Sequence, residues 1–160
     1  LREGKGVELL PPLAAALPAN VKVIHAGGGV LRETIEREAT ALPGRPLQLL
    51  GVREDIPDLL AAADLFVFPT TGNEGLPLGP IEAMAAGLPI VATSVSDLPS
   101  VAGDALHLVP PGDLPALVDA CRLLLSDASL AHALGARAQR VASERFSVDA
   151  AVEAHLARYA

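Results

Sequence analysis

The chain has 160 residues, of which 51% are hydrophobic and 19% charged, and its net charge is −7 at pH 7. This composition and length fit one globular domain with a sizeable core and exclude an intrinsically disordered chain. The negative charge, with no run of lysines or arginines, also excludes a general nucleic-acid surface.

The single cysteine, Cys121, excludes an internal disulfide and favours a reducing compartment. It lies in a helical pattern, where a small buried hydrophobe is the simpler interpretation. No apolar run approaches the roughly 20 residues of a membrane span, and no signal-peptide pattern is present. We therefore expect a soluble domain located in the cytoplasm.

Short β-rich runs alternate with helical patterns along the chain. The first helical pattern, residues 7–17, contains Pro11 and Pro12. Because a proline inside a helix costs about 3 kcal/mol, we expect a break there, with a second short helix beginning at one of the prolines. Strands are predicted at residues 21–26, 47–51, 65–69, 88–93 and 106–113, and helices at residues 30–41, 56–63, 80–86, 114–126, 129–144 and 148–159.

This alternation predicts an α/β fold, with a Rossmann-like parallel β-sheet flanked by helices on both faces. The run LFVFP at residues 65–69 is apolar throughout, which is typical of a central strand covered on both faces. Such sheets bind ligands at the carboxyl ends of their strands. Site residues are therefore expected just after Ala26, Leu50, Phe68 and Ala92.

Three glycines, residues 27–29, follow the first predicted strand and precede a helix. Backbone N–H groups in such a turn can approach a phosphate. Because Arg32 stands where a dinucleotide fingerprint requires its third glycine, the pattern is only weak evidence for a dinucleotide. A tight turn and a ligand-facing loop explain the glycines equally well.

Lys5 lies between two glycines at the start of a helical pattern. It is not part of a P-loop, since no strand precedes it and Gly6 replaces the required Ser or Thr. Its charge and the N–H groups of the helix start could meet one anion. From the residues alone, a solvated lysine is the better explanation.

The four histidines have no spacing that fits a metal site or a base paired with a nucleophile. His25, at a strand end, is the one near the expected ligand edge. For all four, roles in packing or at the surface are favoured.

Two glutamates, Glu74 and Glu82, lie in the apolar stretch EGLPLGPIEAMAAG with seven residues between them. Glu74 follows a buried strand, and Glu82 falls in the first turn of a helix expected to begin near Pro80. Solvation of Glu74 and a helix-dipole role for Glu82 would account for both. However, partly desolvated carboxylates need hydrogen-bond donors, and neighbouring hydroxyls of a sugar or a ribose supply them. With backbone N–H groups between the two acids facing a phosphate, the stretch would complement a nucleotide-sugar.

The stretch FPTTGNEGLPLGPIEAMAAGLPIVAT, residues 68–93, resembles the core motif of glycosyltransferase family 4. This family consists of retaining enzymes with the two-domain GT-B architecture, and it carries two glutamates at this separation. The resemblance covers nearly the whole chain, through the segments KGVELL, VIHAGGG, LGVREDIPDLLAAADLFVFP, LHLVPPGD and ARAQRVASERFS.

The resemblance implies roles for individual residues. Lys5 would balance charge on the leaving diphosphate, Glu74 would contact hydroxyls of the donor sugar, and Glu82 would contact the ribose. Lys5 and Glu74 are thus the expected catalytic residues. The other donor-binding positions that it implies are Gly28, Gly29, Val52, Arg53, Gly75, Leu76, Pro77 and Leu78, with Val52 and Arg53 bordering the base.

The resemblance also implies a hexosyltransferase of carbohydrate biosynthesis, in class EC 2.4, that uses a UDP-, GDP- or ADP-sugar and needs no metal or other cofactor. Residues 1–160 would form a single donor-binding domain, with the last helix, about residues 148–160, packing outside its core. The acceptor, a sugar, a lipid-linked molecule or a small molecule, would be reached through an N-terminal domain that this chain lacks. The isolated chain is expected to be inactive, and the full-length enzyme to be cytoplasmic or peripheral to the inner membrane face.

Some positions depart from the family pattern. Pro77 replaces a glycine, Ser96 and Asp97 stand where many members have two glycines, and an arginine usually precedes the position of Leu1. The alternatives are a GT-B-shaped sugar-nucleotide epimerase or phosphorylase, and a non-catalytic nucleotide-sugar-binding module. A phosphorylase would need a lysine for pyridoxal phosphate, but Lys22 is embedded in a strand and Lys5 already has a role.

Overall fold

A computed structural model describes residues 1–72 and 75–159, except for the side chains of residues 151, 153, 154 and 158. Asn73, Glu74 and Ala160 lie outside the described residues. The elements are α1 (Leu10–Ala16), β1 (Val23–Ala26), α2 (Arg32–Ala41), β2 (Leu47–Gly51), α3 (Ile56–Ala61), β3 (Phe66–Phe68), α4 (Leu78–Ala85), β4 (Ile90–Thr93), α5 (Leu98–Ala102), β5 (His107–Val109), α6 (Leu114–Ser126), α7 (Ala128–Arg145) and α8 (Val148–Tyr159). None of these helices, as far as the chain is described, is both long and apolar enough to cross a membrane.

The strands are all parallel, and they form two sheets. β1 pairs with β2, and β4 pairs with β3 on one side and β5 on the other. The predicted α/β fold with parallel strands and flanking helices is confirmed. Within the described residues, however, β1 and β3 do not pair with each other. The strands therefore form two sheets instead of the single sheet expected.

β3 is therefore an edge strand rather than the central strand predicted from LFVFP. Both of its faces are nevertheless packed. Phe66 and Phe68 contact the core cluster beneath α4, α5 and α7, whereas Val67 contacts the cluster beneath α1 and α6. The apolar run thus indicates that both faces of β3 are covered. It does not indicate whether both edges of the strand are paired.

β4 lies at the centre of the three-stranded sheet and is completely buried. Ile90 and Ala92 face the cluster that includes Met84 and Leu98, while Val91 faces the cluster of Leu117 and its neighbours. This alternation places helices on both faces, as predicted. A third cluster joins α1 and α2 to the β1–β2 sheet.

The N-terminal helical pattern is broken as its prolines predict. A short 3-10 helix, Val7–Leu9, precedes α1, and Pro11 lies in the first turn of α1. A proline is tolerated there because the first N–H groups of a helix have no partner within the helix.

Candidate functional site

The N-terminal turn lies against the glycine loop that follows β1. The backbone nitrogen of Leu1 donates to the carbonyl oxygen of Gly28. The carbonyl oxygen of Leu1 accepts from the N–H of Leu31 at 3.1 Å. Residue 29 must be glycine here, because its φ is +144° and a Cβ would lie 2.3 Å from the carbonyl oxygen of Leu1. Packing therefore explains Gly29.

Gly28 differs from Gly29. Both glycines are exposed, but a Cβ added to Gly28 would make only an ordinary contact of 3.4 Å with Val52 Cγ2. Neither strain nor close packing requires a glycine at residue 28. Of the two glycines predicted to bind the donor, Gly28 is the one that packing does not explain.

The same N-terminal turn contacts the loop that follows β3. The carbonyl oxygen of Gly4 accepts from the N–H groups of Thr71 and Gly72, at 2.9 and 2.7 Å. Gly6 has φ +66°, and a Cβ there would lie 1.8 Å from the carbonyl oxygen of Pro69. Half-buried Lys5, which sits between these two glycines, is therefore carried on a turn fixed to this loop.

Three segments thus meet at the carboxyl edge: the glycine loop after β1, the turn that carries Lys5, and the loop after β3. The resemblance to glycosyltransferase family 4 implies a donor-binding role for each of them. The Gly4 hydrogen bonds, which sequence reasoning missed, bring the last two together.

The loop after β2 presents an exposed apolar residue beside an ion pair. Val52 is 82% exposed. Arg53 forms a fork with Asp55, at 2.8 Å from Nε to Oδ1 and 2.5 Å from Nη2 to Oδ2. The hydrogen bonds raise the pKa of Arg53 and lower the pKa of Asp55. Because Asp55 holds the guanidinium, the backbone of Arg53 is the part best suited to border a ligand.

Glu74, one of the two predicted catalytic residues, lies outside the described residues. Beyond it, Gly75, Leu76 and Leu78 are exposed, whereas Pro77 is buried. Pro77 occupies the N-cap position of α4, and no side chain within the described part of the chain caps this helix. The N–H of Leu78, at the first helical position, is therefore available to an anion.

The position of Glu82 corrects one expectation. α4 begins at Leu78 rather than near Pro80, so exposed Glu82 falls in the second turn. Pro80 needs no N–H partner in the first turn, and the helix can therefore begin two residues before it. The attraction of a carboxylate to a helix N-terminus fades beyond the first turn, so it no longer accounts well for Glu82.

Ser96 has a backbone conformation that favours glycine. Its φ is +57°, in the left-handed region that glycine adopts without strain. Asp97 follows at the N-cap position of α5, a short helix that sequence reasoning missed. A Pro in its first turn is the signal that could have located it.

His25, next to the glycine loop, is partly buried in the described structure. Its Nδ1 is buried without a hydrogen-bond partner among the described residues. Burial, and secondarily the charge of the amino group of Leu1, lowers the pKa of His25.

One groove lies away from the candidate site. An open groove lies between α4 and α7, and it contains none of the residues predicted for the site; it is lined by Ile81, Ala85, Ala136, Gln139, Arg140, Ala142, Ser143, Phe146 and Ser147. Within residues 1–72 and 75–159, no cluster of three or more His, Cys, Asp or Glu side chains could hold a metal ion.

Several known proteins are similar to this chain. The lipopolysaccharide core biosynthesis mannosyltransferase LpsB of Rhizobium meliloti is 35% identical over 131 residues, covering 79% of this chain and 37% of that protein. The D-inositol 3-phosphate glycosyltransferase of Xylanimonas cellulosilytica is 34% identical over 169 residues, covering 98% of this chain and 39% of that protein. The chain thus spans about two-fifths of the length of these two relatives.

A solved structure shares the whole fold of this chain. Anabaena Alr3699/HepE, crystallised with UDP, matches with a TM-score of 0.88 and 27% identity, over 100% of this chain and 47% of that one. The same protein was also crystallised with UDP and glucose and with UDP-glucose. The family model described as "Glycosyl transferases group 1" matches residues 2–127, and the chain belongs to that family.

Proposed function

We propose that this chain is the donor-binding half of a retaining family 4 glycosyltransferase, which transfers a hexose from a nucleotide-sugar to an acceptor. The observation that carries this proposal is that the turn carrying Lys5 contacts both the glycine loop after β1 and the loop after β3, at the carboxyl ends of these two strands. Each segment offers a group that suits one part of a nucleotide-sugar.

The diphosphate is assigned to the N–H groups and the lysine. When the bond from the anomeric carbon to the diphosphate oxygen breaks, negative charge develops on the leaving diphosphate. Lys5 and the N–H groups of Gly28, Gly75 and Leu78 would stabilise this charge from fixed positions. Because the cation and the N–H groups already supply positive potential, we propose that the reaction needs no metal or other cofactor.

The hydroxyls and the base are assigned to the remaining residues. Glu74 would accept hydrogen bonds from the donor sugar, and Glu82 from the ribose. Leu76 and Pro77 would line the path between them, with Gly29 shaping the opposite side. Val52, which is 82% exposed, would cover one side of the base beside the backbone of Arg53.

UDP is the first nucleotide to test, because Anabaena Alr3699/HepE has this fold and was crystallised with UDP and with UDP-glucose. GDP and ADP remain candidates. We further propose that the acceptor binds to the rest of a longer protein, that the chain alone does not catalyse transfer, and that the enzyme works in the cytoplasm.

Calorimetric titration tests the proposal. UDP, GDP and ADP are titrated into the wild-type chain, Glu82→Gln and Glu38→Gln. Glu38 is a matched control, because it is also an exposed helical glutamate but lies on α2. We expect one nucleotide to bind, with affinity lowered in Glu82→Gln and unchanged in Glu38→Gln. No binding of any of the three nucleotides to the folded wild type would refute a donor site.

A further inference from the structure

A buried threonine anchors the loop that follows β3. The hydroxyl of Thr93, the last residue of β4, donates to the carbonyl oxygen of Thr70 at 2.5 Å and lies 3.3 Å from that of Phe68. Thr70 and Thr93 are 1% and 2% exposed. Since a hydroxyl has a single hydrogen, the short bond to Thr70 is the main one.

The Thr93 hydroxyl holds the chain that follows β3 to β4, beyond the point where the two strands stop pairing. β3 and β4 pair as far as Phe68, which lies opposite Ala92. One residue later, Thr93 pairs with Val109 of β5, and the chain after β3 has left the sheet. The Thr93 side chain therefore holds a backbone segment that the sheet no longer holds.

We propose that Thr93 is a positioning residue of the donor site. Its hydroxyl fixes residues 69–72, the segment to which the Lys5 turn is bonded through Gly4. Thr93 acts through the backbone of Thr70, and its side chain does not contact the donor. This inference rests on the proposed function, because it assigns a consequence for donor binding to an observed hydrogen bond.

The segment is held from a second direction as well, which predicts how a variant will behave. The carbonyl oxygen of Gly4 accepts from Thr71 and Gly72. If the Thr93 hydroxyl is removed, these bonds remain, and the chain should still fold. The loop would then sample more positions, and ordering it again on binding costs affinity.

The first test measures Kd for UDP, GDP and ADP with the wild type, Thr93→Val, Thr93→Ser and Cys121→Ala. Valine keeps the shape of threonine without the hydroxyl, and serine keeps the hydroxyl. Cys121→Ala is the control, because it removes buried volume from a core that Val91 of the same sheet shares, without touching the loop. For the nucleotide that binds, we expect Kd to rise about tenfold in Thr93→Val, to stay within about twofold in Thr93→Ser, and to be unchanged in Cys121→Ala.

The second test is independent of any nucleotide. Amide hydrogen exchange at Thr71 and Gly72 should be faster in Thr93→Val than in the wild type, Thr93→Ser or Cys121→Ala. If the wild type binds none of the nucleotides, the proposed function fails, and exchange alone then decides the anchoring role. If Thr93→Val does not fold, Thr93→Ala replaces it in both tests.

Three results would overturn the inference. The first is a folded Thr93→Val chain with wild-type affinity. The second is a Thr93→Ser chain as weak as Thr93→Val, which would assign the effect to the methyl group. The third is unchanged exchange at Thr71 and Gly72 in Thr93→Val.

Discussion

The N–H of Gly72 donates to the carbonyl oxygen of Gly4 at 2.7 Å, and this bond joins two loops that are far apart in the chain. The approach is close, because a Cβ on Gly72 would lie 3.2 Å from that same oxygen. Lys5 and Glu74 are each within two residues of this hydrogen bond along the sequence. The turn that carries Lys5 is thereby joined to the loop that follows β3.

The packing of the Lys5 turn can be tested by replacing Gly6 with alanine. A Cβ there would lie 1.8 Å from the carbonyl oxygen of Pro69 at a φ of +66°. We expect Gly6→Ala to lower the free energy of unfolding by about 3 kcal/mol, measured by urea denaturation. Gly44→Ala is the control, because Gly44 has a φ of +71° but no atom within 4 Å of the added Cβ.

Gly44→Ala should cost only about 1 kcal/mol, from backbone strain alone. Equal losses in the two variants would show that the contact of the turn with Pro69 adds no constraint.

The role of Lys5 can be separated from a general effect of charge, because the sequence has one other lysine, Lys22. Nζ of Lys22 donates to the carbonyl oxygen of Gly44 at 3.0 Å on the exposed surface. We expect Lys5→Ala to weaken nucleotide binding about ten- to a hundredfold, because a charge-assisted bond contributes about 1.5 to 3 kcal/mol. In the full-length enzyme, turnover should also fall.

Lys22→Ala should change neither the affinity nor the turnover. The phosphate role assigned to Lys5 would be wrong if turnover of the full-length Lys5→Ala enzyme matched the wild type.

His25 predicts a dependence of stability on pH. Burial holds its pKa below the ordinary 6.5, so the unfolded chain binds more protons than the folded chain between these two pKa values. This contribution to stability is complete above about pH 6.5 and is lost as the pH falls toward the folded pKa. Urea denaturation at several pH values should therefore show a steeper loss between pH 7 and 5.5 for the wild type than for His25→Leu. Parallel curves would assign the pH dependence to other groups.

The sequence predicts the elements well where periodicity and end signals agree. β2 and α6 have the predicted bounds, and the break before α1 follows from its prolines. α4 begins two residues early because a proline in a first turn is compatible with several start positions. The edge position of β3 was not predictable, since an apolar run reports covered faces but not paired edges.

The candidate site was predictable as a set of loops but not as a geometry. Glycine spacing could not separate Gly29, which packing requires, from Gly28, which packing does not require. The bonds of Gly4 to Thr71 and Gly72, the Thr93 anchor and the Arg53–Asp55 fork join residues by tertiary contact or loop shape. Periodicity carries no signal for such contacts. For Glu74 the assigned role stays a prediction.

The most direct test of donor binding at the carboxyl edge is an NMR titration of the isotopically labelled chain with UDP, and with GDP and ADP in parallel. We expect saturable shifts in the amide signals of Lys5, Gly28, Val52, Gly75 and Leu78 with one of these nucleotides, and none in those of Gln139 and Ser143 in the groove between α4 and α7. Shifts confined to that groove, or no shifts with any of the three nucleotides, would contradict a donor site at this edge.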